Sequence, residues 1–250
     1  MAKYVLGPKI KTSFEQFYDV WQHIEDYVSL DECIAKVEEA VEYTRKMAVG
    51  KRCGYGWSGG KDSIALQVVM ERAGIHHSVM CTCPEESPIF LQWILDNKPK
   101  ECYIYSDETI TKEFLLAHTD RFFQQNSPAW WYKYVPWNGL RDLQKRYNLD
   151  VLFLGRRTND NNYGEKAYRS KLVDCLQVSP IVDWRHEDVL ACVHYFKNDN
   201  LPPLYSQPCL GMPEPVFWFE TKGGWPEVKE LYPELLPSIA RYFPEARELL

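Results

Sequence analysis

At 250 residues the chain has room for one large α/β domain with an appended piece, and it is short for two full domains. A hydrophobic fraction of 45% can fill a sizeable core, yet no apolar run approaches the length of about 18 residues that a membrane span needs. A net charge of −6 argues against a broad nucleic-acid-binding surface.

The start of the chain, Met1 to Pro8, lacks the apolar stretch of a signal peptide, so a cytoplasmic location is expected. Residues 12 to 48 then read as two amphipathic helices. Phe14, Phe17, Val20, Trp21 and Ile24 mark the buried side of the first. Ile34, Val37, Ala40 and Val41 mark the second, with Ser29 or Asp31 as its cap. This helical extension over 1–48 packs on the core or on a second copy, which leaves a homodimer open.

Lys51 to Gly56 reads as a short buried strand, and Ile64 to Ala73 as a helix stopped by Gly74. Between them lies Trp57-Ser58-Gly59-Gly60-Lys61-Asp62-Ser63. A strand turning through small residues into a helix makes a phosphate cradle. Two glycines let backbone approach an anion, and the first helical amides point at it with the positive end of the dipole. Ser58 and Ser63 add hydroxyls and Lys61 a point charge, while Asp62 can orient the lysine or help hold a metal. The ordinary P-loop is excluded, since Gly60-Lys61 is followed by Asp62 and not by Ser or Thr.

Further strands are expected at His76 to Thr82, Glu101 to Tyr105, Val151 to Leu154 and Lys171 to Val178. Helices should start near Pro84, Thr109, Leu140 and Arg185. Residues 124 to 137 are aromatic, contain two prolines and carry no clean period, which suits a lid, an interface or core filler beneath a loop. The Pro-rich tail over 201–250 should end in short helices near 226–236 and 237–249. Strands and helices alternating at this spacing imply a five-stranded parallel sheet flanked by helices, built from residues 49–200.

Ligands on such sheets sit beyond the carboxyl ends of the strands, near a switch in strand order. Ser58 to Ser63 and Gly155-Arg156-Arg157 both leave such ends, so one pocket can contain both. Arg156 and Arg157 are then candidate anion ligands, with Arg169, Lys171 and Met80 as further contacts. Basic residues crowd the middle of an otherwise acidic chain, which favours one anionic ligand over a polyanion.

Most of the eight cysteines sit in apolar patterns, as reduced buried thiols do. There is no C-x-x-C and no Cys-Cys pair, so no metal site and no iron-sulfur cluster is expected. Cys81 and Cys83 form the only close pair and read as core.

Ser58-Gly59-Gly60-Lys61-Asp62-Ser63 resembles the PP-loop of the adenine-nucleotide α-hydrolase-like superfamily. The later run of Gly155-Arg156-Arg157, Ser179-Pro180-Ile181-Val182-Asp183-Trp184 and Leu201-Pro202-Pro203-Leu204-Tyr205 is similar to the order found in the phosphoadenylyl-sulfate (PAPS) reductase family. The similarity covers roughly residues 50 to 210 and implies a bound adenine nucleotide, its base near Met80 to Cys83. It departs at the end, because reductases of this family carry a nucleophile in a C-terminal Glu-Cys-Gly-Leu-His-like segment. Here no cysteine follows Cys209, the one late candidate thiol.

The expected activity is therefore cleavage of ATP between the α and β phosphates, with AMP passed to an unknown acceptor. Lys61 and Arg157 would act catalytically and magnesium would bridge the phosphates. The alternatives are a reductase of PAPS or adenylyl sulfate using Cys209, a non-catalytic nucleotide-binding module, and a tRNA sulfurtransferase.

Overall fold

The computed structural model describes residue 6 and residues 14–86, 88–122, 127–160, 165–202, 225–231 and 233–250. Its centre is a six-stranded sheet of β1 (Cys53–Gly56), β2 (Ser78–Thr82), β3 (Cys102–Ser106), β4 (Val151–Phe153), β5 (Ala167–Ser170) and β6 (Cys175–Val178). The strand order is β3-β2-β1-β4-β6-β5. β1 runs parallel to β2 and to β4, and β4 parallel to β6, while β5 closes the edge antiparallel to β6.

The helices are α1 (Phe14–Gln22), α2 (Leu30–Ala48), α3 (Lys61–Ala73), α4 (Pro88–Asn97), α5 (Lys112–Ala117), α6 (Thr119–Phe122), α7 (Ser127–Tyr147), α8 (His186–Lys197), α9 (Trp225–Leu231) and α10 (Leu236–Tyr242). The expected α/β fold, a parallel sheet flanked by helices, is observed with one antiparallel strand, β5, added at the edge.

The chain divides into two compact units. The first comprises Met1–Met80, Lys98–Tyr103 and Leu140–Leu201, and the second Cys81–Asn97, Ile104–Gly139 and Pro202–Leu250. β2, β3 and α7 each contribute residues to both.

In the first unit α2, α3 and α8 pack on one another. Ser29 caps α2 through a complete capping box with Glu32, which satisfies two orphan amide donors reciprocally. Gly74 ends α3 in the left-handed region at φ +80°. One face of β1 carries glycines. A Cβ at Gly54 would lie 2.8 Å from Leu149, and one at Gly56 3.1 Å from Leu140 and from Leu154. The bare face of β1 thus lets the end of α7 lie close to the sheet.

In the second unit Ile110, Leu115, Val135, Trp225, Val228, Leu235, Leu236 and Ile239 form a separate apolar core. The short helices of the tail supply most of it. Among the described residues, no helix is long and apolar enough to cross a membrane.

Three expectations change. The aromatic stretch read as irregular belongs largely to α7, which passes through Pro136 without ending there. The helix expected over 109–123 is two short ones, broken at His118. The strand expected over 171–178 begins only at Cys175. Residues 171–174 are instead a turn in which Ser170 Oγ accepts from the amides of Leu172 and Val173 and Asp174 takes φ +51°. That turn reverses the chain, so β5 adds an antiparallel edge to the five expected strands.

Candidate active site

β1 and β4 are neighbours, with Cys53, Gly54 and Tyr55 opposite Val151, Leu152 and Phe153. From β1 the strand order runs through β2 to β3 on one side and through β4 to β6 on the other. The gap between β1 and β4 is therefore the switch point, where crevices form at the carboxyl ends of strands. Both candidate loops leave from it.

After β1 the chain turns through Gly59, at φ +72°, a conformation that a Cβ would strain. Gly60 is the N-cap of α3. The first intrahelical bond runs from Ile64 N to the carbonyl of Gly60 at 3.0 Å. The amides of Lys61, Asp62 and Ser63 thus precede the helical ladder, where an anion is best received.

Ser63 Oγ ties the loop to the helix start: it donates to the Gly60 carbonyl at 2.8 Å and accepts from Ser58 N at 3.1 Å. Ser58 Oγ in turn accepts from Gly60 N at 3.4 Å. Trp57 is pinned behind the loop, its indole N–H donating to Gln67 at 3.0 Å, and Gln67 donates onward to Glu71 at 2.6 Å.

The second loop comes within van der Waals contact of the first. A Cβ at Gly155 would lie 2.9 Å from the Asp62 carbonyl oxygen and 3.3 Å from Ser63 N. Only glycine fits there without displacing backbone. The loop is also tied to the segment after β6, since Leu154 N donates to the Val178 carbonyl at 2.9 Å and Thr158 N to the Val182 carbonyl at 2.8 Å.

Arg157, fully buried, reaches across 95 residues of sequence. Its Nε donates to Asp62 Oδ1 at 2.6 Å, Nη1 to the Trp184 carbonyl at 3.2 Å, and Nη2 meets His186 Nδ1 at 3.1 Å. Lys61, also buried, places Nζ 2.6 Å from Asp62 Oδ2. Asp62 thus joins both candidate cations, one on each carboxylate oxygen. Burial alone would push the Asp62 carboxyl up, but the ammonium of Lys61 and the guanidinium of Arg157 hold it well below the usual carboxylate range.

Ser58 is exposed, and Gly60, Asp62, Gly155 and Arg156 are partly exposed, so solvent reaches the corner while the cations lie beneath it. Arg156 donates to the phenol oxygen of Tyr168, which donates to Gln177. Arg169 is exposed and points at Asp174 in the β5–β6 turn, 3.4 Å away, and Lys171 is exposed in the same turn. Met80 is buried in β2. Cys209 lies outside the described residues.

The two groups that sequence reasoning overlooked are the Trp184 carbonyl and His186. A main-chain oxygen has no signature in a sequence. His186 reads only as the first residue of a helix, because its contact with Arg157 is tertiary.

Among the described residues, no group of three or more His, Cys, Asp or Glu side chains could hold a metal ion. Asp62 is the one carboxylate placed at this corner by the contacts above, and each of its oxygens already meets a cation. This donor set does not fit a protein-held magnesium site, which draws on one or two available carboxylates besides phosphate.

No protein-family model matches the chain, and no curated protein matches it in sequence. Solved structures with a similar backbone include the PAPS reductase of Candida auris in a phosphate complex. It is 13% identical, the match covers 70% of this chain and 89% of that one, and the TM-score is 0.49. FMN adenylyltransferase of Candida glabrata, in complex with FMN and the ATP analog AMPCPP, is 10% identical over 76% of this chain and 67% of that one, with a TM-score of 0.44.

Proposed function

We propose that this chain is an adenine-nucleotide-binding enzyme that cleaves ATP between its α and β phosphates and transfers AMP to an acceptor. The observation that carries the reading is the meeting of Arg157 with Asp62 in the first turn of α3, at the switch point of the sheet. A guanidinium and an ammonium both held by Asp62 at the start of a helix that follows Ser58-Gly59-Gly60 suit a polyphosphate.

In the proposed reaction a nucleophilic atom of the acceptor attacks the α-phosphorus. The bond from that phosphorus to the bridging oxygen breaks, and pyrophosphate leaves with the electron pair. The amides after Gly60 and the partly exposed loop at Ser58 receive the leaving pyrophosphate. Lys61 and Arg157 offset the charge that develops on it. Asp62 keeps both cations in place before the nucleotide arrives, so little reorganisation is needed at the moment of reaction. No step is routed through a metal held by the protein; a cation arriving on the nucleotide phosphates belongs to the substrate.

The test is release of pyrophosphate from ATP by the full chain, in the presence of candidate acceptors. Activity lost in Lys61→Ala supports the assignment. Sulfite release from PAPS with a thiol donor, without pyrophosphate release from ATP, would overturn it in favour of a reductase.

A further inference from the structure

His186 opens α8 and is almost completely buried. Its Nδ1 lies 3.1 Å from Nη2 of Arg157. A guanidinium has five donors and no acceptor, so the imidazole nitrogen in this contact must accept. This contact calls for the tautomer that carries its proton on Nε2. Trp184, two residues earlier, supplies the second acceptor through its carbonyl at 3.2 Å from Nη1, and Asp62 the third at 2.6 Å from Nε. Each of the three guanidinium nitrogens thus has its own acceptor. Two of those acceptors lie on the two sides of the turn into α8, and the third on α3, which packs against α8.

We propose that His186 is a positioning residue: its neutral ring fixes the rotation of the Arg157 guanidinium toward the helix start that receives the phosphates. Asp62 and the Trp184 carbonyl hold Nε and Nη1, which leaves Nη2 as the nitrogen that the imidazole restrains. The acceptor from α8 completes the clamp and sets the plane in which Arg157 meets an anion. This rests on the functional reading above, and it adds to it that anion affinity is set partly from a helix that the Ser-Gly-Gly loop does not include.

Two measurements on the full chain test it. In nitrogen-15 spectra of histidine-labelled protein, Nδ1 of His186 is expected as an unprotonated acceptor, and a proton on Nδ1 would sink the proposal whatever the enzyme does. In titrations with inorganic pyrophosphate, His186→Ala is expected to weaken binding about tenfold, equivalent to about 1.4 kcal/mol. His186→Asn, whose side-chain oxygen can stand where Nδ1 stood, is expected to recover binding to within about threefold of the parent, whereas a helix-packing role would gain nothing from it. Equal binding by parent and Ala variant, or equal weakening in the Ala and Asn variants, overturns the positioning role and leaves the functional reading standing. A parent protein that binds no pyrophosphate overturns the functional reading itself.

Discussion

Gly155 and Asp62 stand so close that a single added methyl group at Gly155 would lie 2.9 Å from the Asp62 carbonyl oxygen. The neighbour is backbone of the first turn of α3, which cannot move aside as a side-chain tip would. Gly155→Ala is therefore expected to push the two loops apart. The cost should be about 1–3 kcal/mol of stability, typical of overpacking, with a larger loss in nucleotide affinity than in fold. Thermal unfolding beside ATP titration checks this, and an Ala variant that binds ATP normally would show that the loops need not touch.

Lys61 and Arg157 differ in what they offer the site. Lys61→Ala removes a point charge and is expected to lower pyrophosphate release by about 100-fold or more, as loss of one preorganised donor does elsewhere. Arg157→Lys keeps the charge but loses the fork that reaches Asp62, Trp184 and His186 together, so it should not rescue activity. Steady-state rates of the two variants decide it; full activity in Arg157→Lys would mean that only charge matters there.

Asp62 is expected to make the fold sensitive to acid. Its folded carboxyl is held below the ordinary range chiefly against burial, by Lys61 and Arg157. A depressed folded value contributes stability that is present above the unfolded value of about 3.9 and is lost as pH falls toward the folded one. Asp62→Asn should therefore unfold more easily at neutral pH, and its stability should fall less between about pH 4 and pH 2. Denaturant midpoints across that window test the sign, which is the informative part.

His194 works in the opposite sense. Burial pulls its imidazole down, but hydrogen bonds to Asp199 at 2.7 Å and to Glu25 at 3.1 Å outweigh that and raise it. Its contribution is fully present below the unfolded value of about 6.5 and disappears as pH rises through the folded one. His194→Gln is expected to remove a modest decline in melting temperature above neutrality. An unchanged pH slope in the Gln variant would rule the pairing out as a source of stability.

Ser29 offers a control remote from the proposed chemistry. Its hydroxyl closes the capping box on α2 with Glu32. Ser29→Ala should cost about 1 kcal/mol of stability and leave pyrophosphate release intact. A matching loss of activity would indicate that the active corner depends on α2.

Local pattern was enough for much of this. The passage from β1 through Ser58-Gly59-Gly60 into α3 is legible because each step follows from residue type: a short buried strand, glycines where backbone must bend, then an apolar helical run closed by Gly74. The Ser29 cap and the helix after Trp184 read off in the same way. The α7 region misleads because Pro136 and clustered aromatics signal interruption locally, while burial of Val135, Leu140 and Leu143 holds the helix through it. The split of 167–178 into two strands depends on a side-chain-held turn at Ser170, too small a signal to see without coordinates.

What the sequence by itself determined is the set of parts: an α/β chain, a strand-to-helix corner suited to an anion, and a pair of arginines at the end of another strand. Only the tertiary structure decided that Arg157 is buried, that Asp62 joins it to Lys61, and that His186 and the Trp184 carbonyl hold its other nitrogens. Residue types encode what a group can donate or accept. Which donor meets which acceptor, across 95 residues in the case of Arg157 and Asp62, is fixed by strand order and by the absence of a side chain at Gly155.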